Sequence, residues 1–110
     1  MAGIDAPERC QPGGAAAREA LSARVLNRRV QAVTRATDDY RRMVATLRLN
    51  GQDIGARMVQ QGHAWRHGYY HAQAPYARQE GEASAARRGV FADPQALEPH
   101  VFRKQHGRCT

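Results

Sequence analysis

Two stretches of the chain alternate residue by residue, and they limit its fold more than any other feature. Val30, Ala32 and Thr34 alternate with Gln31 and Val33, while Met43, Ala45, Leu47 and Leu49 alternate with Val44, Thr46 and Arg48. A period of two places successive side chains on opposite faces of a strand, so both segments are predicted strands. The polar segment between them, TRATDDYRRM, predicts a hairpin-like loop, and Asn50-Gly51 after the second strand is a tight-turn dipeptide. A further short strand is expected at the start, where the apolar end of MAGIDAPE runs into a turn at Pro7 that carries Asp5 and Glu8.

Helical signals surround this strand pair. Gln11 to Leu26 is alanine-rich, has Pro12 in its first turn, and repeats Ala17, Leu21 and Val25 every four residues, with Asn27 as its stop. Asp53 is placed to cap a helix that carries Ile54 and Met58 and ends at Gly62. Pro75 to Arg88, closed by Gly89, reads as a third helix. Residues 66–74 show no period and are expected to be a loop. The Pro-rich, basic end of the chain is expected to wrap the surface without regular structure. The order is that of an α+β domain.

Charge narrows the partner. In 110 residues, 17 Lys and Arg stand against 10 Asp and Glu, a net charge of +7. A small domain this basic points to an anionic partner, either nucleic acid or a membrane surface. None of the expected helices joins a large apolar face to a clean basic one, which argues against the membrane surface. No apolar run is long enough to span a bilayer. Cys10 and Cys109 lie near opposite ends, and their spacing leaves open both a long-range disulfide and two free thiols.

The chemistry-bearing residues are Asp5 and Glu8 on one turn and Arg41-Arg42 beside the second strand. Phosphoryl transfer uses this equipment: hard cations take carboxylate oxygens, a base activates water, and arginine steadies charge on phosphorus. On composition alone, acids around a proline are more often a solvated turn, and Arg42 by itself reads as a solvated strand charge. His63, His67 and His71 recur every four residues, the spacing of ligands on one helix face. Gly62 and Gly68 interrupt any such helix, so surface or groove histidines are the better reading. Trp65 reads as a packing residue rather than a stacking platform.

Four ordered motifs turn these hints into a resemblance. GIDAPE at Gly3 to Glu8, DDYRR at Asp38 to Arg42, NGQDIGARMVQQGHAW at Asn50 to Trp65, and RRGVFADP at Arg87 to Pro94 resemble the thermonuclease (staphylococcal-nuclease-like) family. Its patterns are roughly R-L-x-G-I-D-x-P-E, D-x-Y-G-R, G-x-x-V-N-x-x-L-V-x-x-G-x-A-W and A-R-x-x-x-x-G-L-W-x-D-P. The resemblance implies an α+β fold with a small five-stranded OB-type barrel and three helices, over residues 1–94, followed by a basic tail over 95–110. It implies Asp5 and the Ala6 carbonyl as calcium ligands, Glu8 as general base, and Arg42 as the arginine that binds the transition state. Tyr40 and Tyr70 match positions that contact the bound nucleotide. The implied activity is calcium-dependent cleavage of single-stranded or frayed DNA and RNA with little sequence preference, by a monomer with no membrane role. The alternative is a module of the same fold that binds nucleic acid without cutting it.

The match also departs from the pattern. The arginine that opens the first motif would stand one position ahead of Met1, and the first barrel strands and a first-strand aspartate lack counterparts. The expectation is a start upstream or a gene fragment, a signal peptide lost with that segment, and an impaired active site. Arg41 replaces a glycine in D-x-Y-G-R, and Phe91 replaces a tryptophan.

Overall fold

The two alternating segments do pair. The computed structural model describes residues 4–37, 43–66, 76–107 and 109. In it β2 (Gln31–Thr37) and β3 (Met43–Leu49) run antiparallel, from Gln31 opposite Arg48 to Thr37 opposite Met43. The register shifts between Thr34 and Ala36, so Arg35 is the extra residue of a bulge. β3 turns back at Asn50-Gly51 to pair with β4 (Gln52–Asp53). Both turn residues have positive φ, the conformation for which this dipeptide is suited.

The remaining strands form a separate ribbon, with β1 (Ile4–Asp5) antiparallel to β5 (Trp65–Arg66). The implied five-stranded barrel is therefore not closed among the described residues. They contain one two-stranded and one three-stranded sheet. At two residues each, β1 and β5 satisfy each other's backbone and do not extend the other ladder.

Among the described residues four α-helices, not three, accompany the sheets: α1 (Gly14–Val25), α2 (Ile54–Gln60), α3 (Ala77–Ala85) and α4 (Pro99–His106). A 3₁₀ turn covers Gly89–Ala92. The fourth helix lies in the stretch expected to lack regular structure. Pro99 starts it at a position where a missing N–H costs nothing, its last turn carries Arg103, Lys104 and His106, and Gly107 follows with positive φ.

Helix α2 is the hub. Ile54, Met58 and Val59 are buried with Ala17 of α1 and Ala64, and Leu47, Leu49, Leu21 and Ile4 pack against them. Asp53 caps α2 as expected: its Oδ1 accepts from the Ala56 amide at 3.1 Å, while its Oδ2 accepts from the Tyr76 hydroxyl at 2.7 Å. One side chain thus joins the start of α2 to the entry of α3. At the other end of α2, Gly62 and Gly89 meet back to back, and the Val90 amide donates to the Gly62 carbonyl at 2.9 Å. A Cβ on Gly89 would lie 2.1 Å from that carbonyl oxygen, so only glycine permits the approach. Trp65 is 8% exposed and meets Phe91 edge to face at 6.1 Å, so the aromatic in place of tryptophan still anchors this corner.

Candidate active site

The acidic turn begins where β1 ends. Asp5 is set by its ladder position opposite Trp65, and the chain then leaves the sheet through Ala6 and the buried Pro7 to reach Glu8. The turn closes on itself: the Gln11 amide donates to the Glu8 carbonyl at 2.9 Å, and the Glu8 amide donates to Gln11 Oε1 at 3.0 Å. The Gly14 amide donates in turn to the Gln11 carbonyl at 2.8 Å, which leads the chain into α1. A Cβ on Gly14 would stand 2.0 Å from the Glu8 carbonyl oxygen, so this glycine lets the helix start press against the turn.

Gln11 is only 5% exposed and works in two directions. Besides accepting from Glu8, it donates through Nε2 to the Leu97 carbonyl at 2.5 Å, tying the turn to the segment ahead of α4. A second tie is covalent, since Cys10 and Cys109 form a disulfide with their Cα atoms 5.6 Å apart. Their pairing, open in the sequence, brings both ends of the described chain to this turn.

The third tie is electrostatic. Arg103 of α4 donates through Nη1 to Glu8 Oε1 at 2.5 Å, and its Nη2 lies 3.5 Å from Asp5 Oδ2. Asp5 and Glu8 are partly buried, with side chains 21% and 27% exposed, against 42% for Arg103. The hydrogen bond to Glu8, with the charges of both acids, holds the Arg103 guanidinium more firmly protonated than an ordinary arginine.

Asp5, Ala6 and Glu8 therefore share one short turn, and Arg103 joins the two acids. Arg42, Tyr40 and Tyr70 lie outside the described residues, as do His67 and His71. His63 borders a cavity of about 360 Å³ between the start of α1, the 3₁₀ turn and α4, lined also by Gln11, Val90 and Phe102. Burial, and then the nearby Arg24, lower its pKa from the usual histidine value. Among the described residues, no three His, Cys, Asp or Glu side chains converge as a metal cage. The donors at the turn are hard oxygens, which suit a cation such as calcium or magnesium better than zinc.

Residues 1–93 match the staphylococcal nuclease homologue family. The chain is 33% identical to an uncharacterized endonuclease of Haemophilus influenzae, covering 96% of this chain and 59% of that protein. It is 35% identical to a probable staphylococcal-like nuclease of Oryza sativa subsp. japonica, over 94% of this chain and 28% of the plant protein. A micrococcal nuclease of Shigella flexneri is also 35% identical, over all of this chain and 70% of its own length. The chain thus spans less than two thirds of the Haemophilus protein and under a third of the rice protein. With a matched region that covers most of its length, and with the acidic turn built as described, the chain belongs to the staphylococcal nuclease homologue family.

Proposed function

We propose that the protein is a calcium-dependent endonuclease that hydrolyses phosphodiester bonds of single-stranded or frayed DNA and RNA with little sequence preference. The observation that carries this reading is the turn that places Asp5 and Glu8 together, partly buried, in a domain with a net charge of +7. Family membership and the nuclease names of several relatives support it.

Each residue has a role in this reading. Asp5 and the Ala6 carbonyl would hold the cation, whose positive charge would polarise the scissile phosphate. Glu8 accepts a proton from the attacking water. Its backbone is held by the reciprocal bonds with Gln11, which fixes the point on the turn from which the side chain leaves. Arg42 stabilises charge on the phosphate oxygens, and Tyr40 and Tyr70 contact the nucleotide. These last three roles rest on the sequence motifs. A basic surface tracks any nucleic-acid backbone, and aromatic stacking is indifferent to base identity, so little sequence preference is expected.

The test is cleavage of denatured DNA by purified protein, with calcium and with chelator. Glu8→Gln should lower the rate on the order of a hundredfold or more, the usual contribution of a positioned base. Unchanged calcium-dependent cleavage by that variant would remove Glu8 from the mechanism. One observation favours a second reading, a non-catalytic nucleic-acid-binding module: Arg103 engages both acids in an ion pair. That reading predicts salt-sensitive binding with no cutting under any divalent cation.

A further inference from the structure

We propose that Arg103 is a positioning residue of this active site, a guanidinium fork delivered by α4 that holds the Glu8 carboxylate, and with it Asp5, in working geometry. The inference rests on the nuclease reading above, yet residue 103 lies beyond the matched region 1–93, so the family assignment does not supply it.

Asp5 and Glu8 are like charges on one turn, and without a cation between them they repel. Arg103 supplies that cation with direction: Nη1 binds Glu8 Oε1 and Nη2 faces Asp5 Oδ2, so one planar group spans both acids. By taking Oε1 of Glu8 the fork leaves Oε2 as the oxygen to receive a proton from water. A half-exposed ion pair between flexible side chains ordinarily contributes little, because it must overcome side-chain entropy and solvent screening. Here the partner helix is not free to wander. Gln11 holds the Leu97 carbonyl ahead of α4, Pro99 and Phe102 bury its inner face, and the Cys10–Cys109 disulfide secures the chain beyond it. Two of these anchors start from Cys10 and Gln11, two and three residues beyond Glu8. The structure therefore spends a helix, a buried glutamine and a disulfide on fixing one guanidinium relative to one turn.

A positioning role makes a demand that a purely structural prop does not. Removing the Arg103 charge should slow the chemistry while leaving the cation at Asp5 bound as tightly as before, or more tightly, because a competing positive charge has gone. The experiment compares wild type, Arg103→Gln and Arg103→Lys by kcat and KM on denatured DNA with calcium, and by titration with terbium in the absence of nucleic acid. Arg103→Gln is expected to lower kcat ~10- to 100-fold with KM within ~2-fold, the scale of a carboxylate misplaced by about an ångström. Terbium should bind it at least as tightly as wild type. Arg103→Lys, which keeps the charge and loses the fork, should recover only part of kcat. In a Glu8→Gln background, Arg103→Gln should cost little more, because its effect passes through Glu8.

Wild-type kcat in Arg103→Gln, or full recovery by Arg103→Lys, would overturn the proposal. So would a joint loss of kcat, terbium affinity and melting temperature, which would make Arg103 a structural prop. If the wild-type protein itself fails to cut, the nuclease reading falls. The clamp is then judged on terbium alone: binding by Arg103→Gln at least as tight as wild type supports it, and weaker binding overturns it.

Discussion

The region around α2 and the region around the acidic turn are held together by different forces. At α2, Ile54, Met58 and Val59 are buried to within 1% exposure and touch apolar side chains from α1, β1 and β3. At the acidic turn Ala6 also packs against that core, but the links to α4 and the chain beyond it are individual and polar or covalent: Gln11 to Leu97, Arg103 to Glu8, and Cys10 to Cys109. Apolar packing is strong but non-directional, so it stabilises a fold without aiming any one atom. Hydrogen bonds, forked ion pairs and a disulfide contribute less bulk energy and fix direction. A site that must hold a carboxylate to within a fraction of an ångström uses the second kind.

If that division holds, damage to each region should read out differently. Met58→Ala removes a fully buried side chain from the hub and should cost about 2–5 kcal/mol in denaturant unfolding, with kcat of the folded fraction changed less than about twofold. A large loss of kcat in that folded fraction would break the comparison, because the hub would then also aim the site. Cys109→Ser opens a link between residues 99 apart and should cost about 2–4 kcal/mol. Unlike Met58→Ala, it should also lower kcat under conditions where the protein is fully folded, since α4 loses one of its anchors to the turn. Equal kcat in oxidised and reduced wild type would show that Gln11 and the buried face of α4 suffice.

The smallest effect sharpens the boundary between the regions. His63 borders the cavity that separates α1 from α4, and burial lowers its pKa below the usual value of about 6.5. The unfolded chain then binds a proton that the folded protein resists. The contribution is fully present above about pH 6.5 and is lost as pH falls from there toward the lowered folded pKa. Thermal melts should show a shallow decline below about pH 6.5 that His63→Gln flattens. An identical decline in the variant would assign it to other groups.

Reading outward from the sequence, the local features came through and the distant ones did not. The strand pair was legible because alternation is written residue by residue, and the Asp53 cap because capping acts across three positions. The turn bearing Asp5, Ala6 and Glu8 was legible for the same reason, with Pro7 at its centre. Helix α4 was misread: the prolines and basic residues around it suggested irregular chain. Yet Pro99 at the helix start, the basic last turn and Gly107 after it are ordinary start and stop signals that composition obscured. Gln11 carried no signal at all, since nothing in a lone glutamine says that its amide will reach a carbonyl 86 residues away.

The sequence by itself determined the local vocabulary of this protein: which segments alternate, which repeat at helical spacing, where acids flank a proline, and the motifs that identify the family. Tertiary structure alone decided that β1 pairs with β5 and not with the β2–β3 ladder, that Cys10 meets Cys109, and that Arg103 faces Glu8 across 95 residues of chain. The physical reason is range. Backbone preference, capping and side-chain periodicity act over a few residues and leave a mark in any short window. A disulfide or an ion pair between distant residues depends on how the whole core packs, and no short window contains that information.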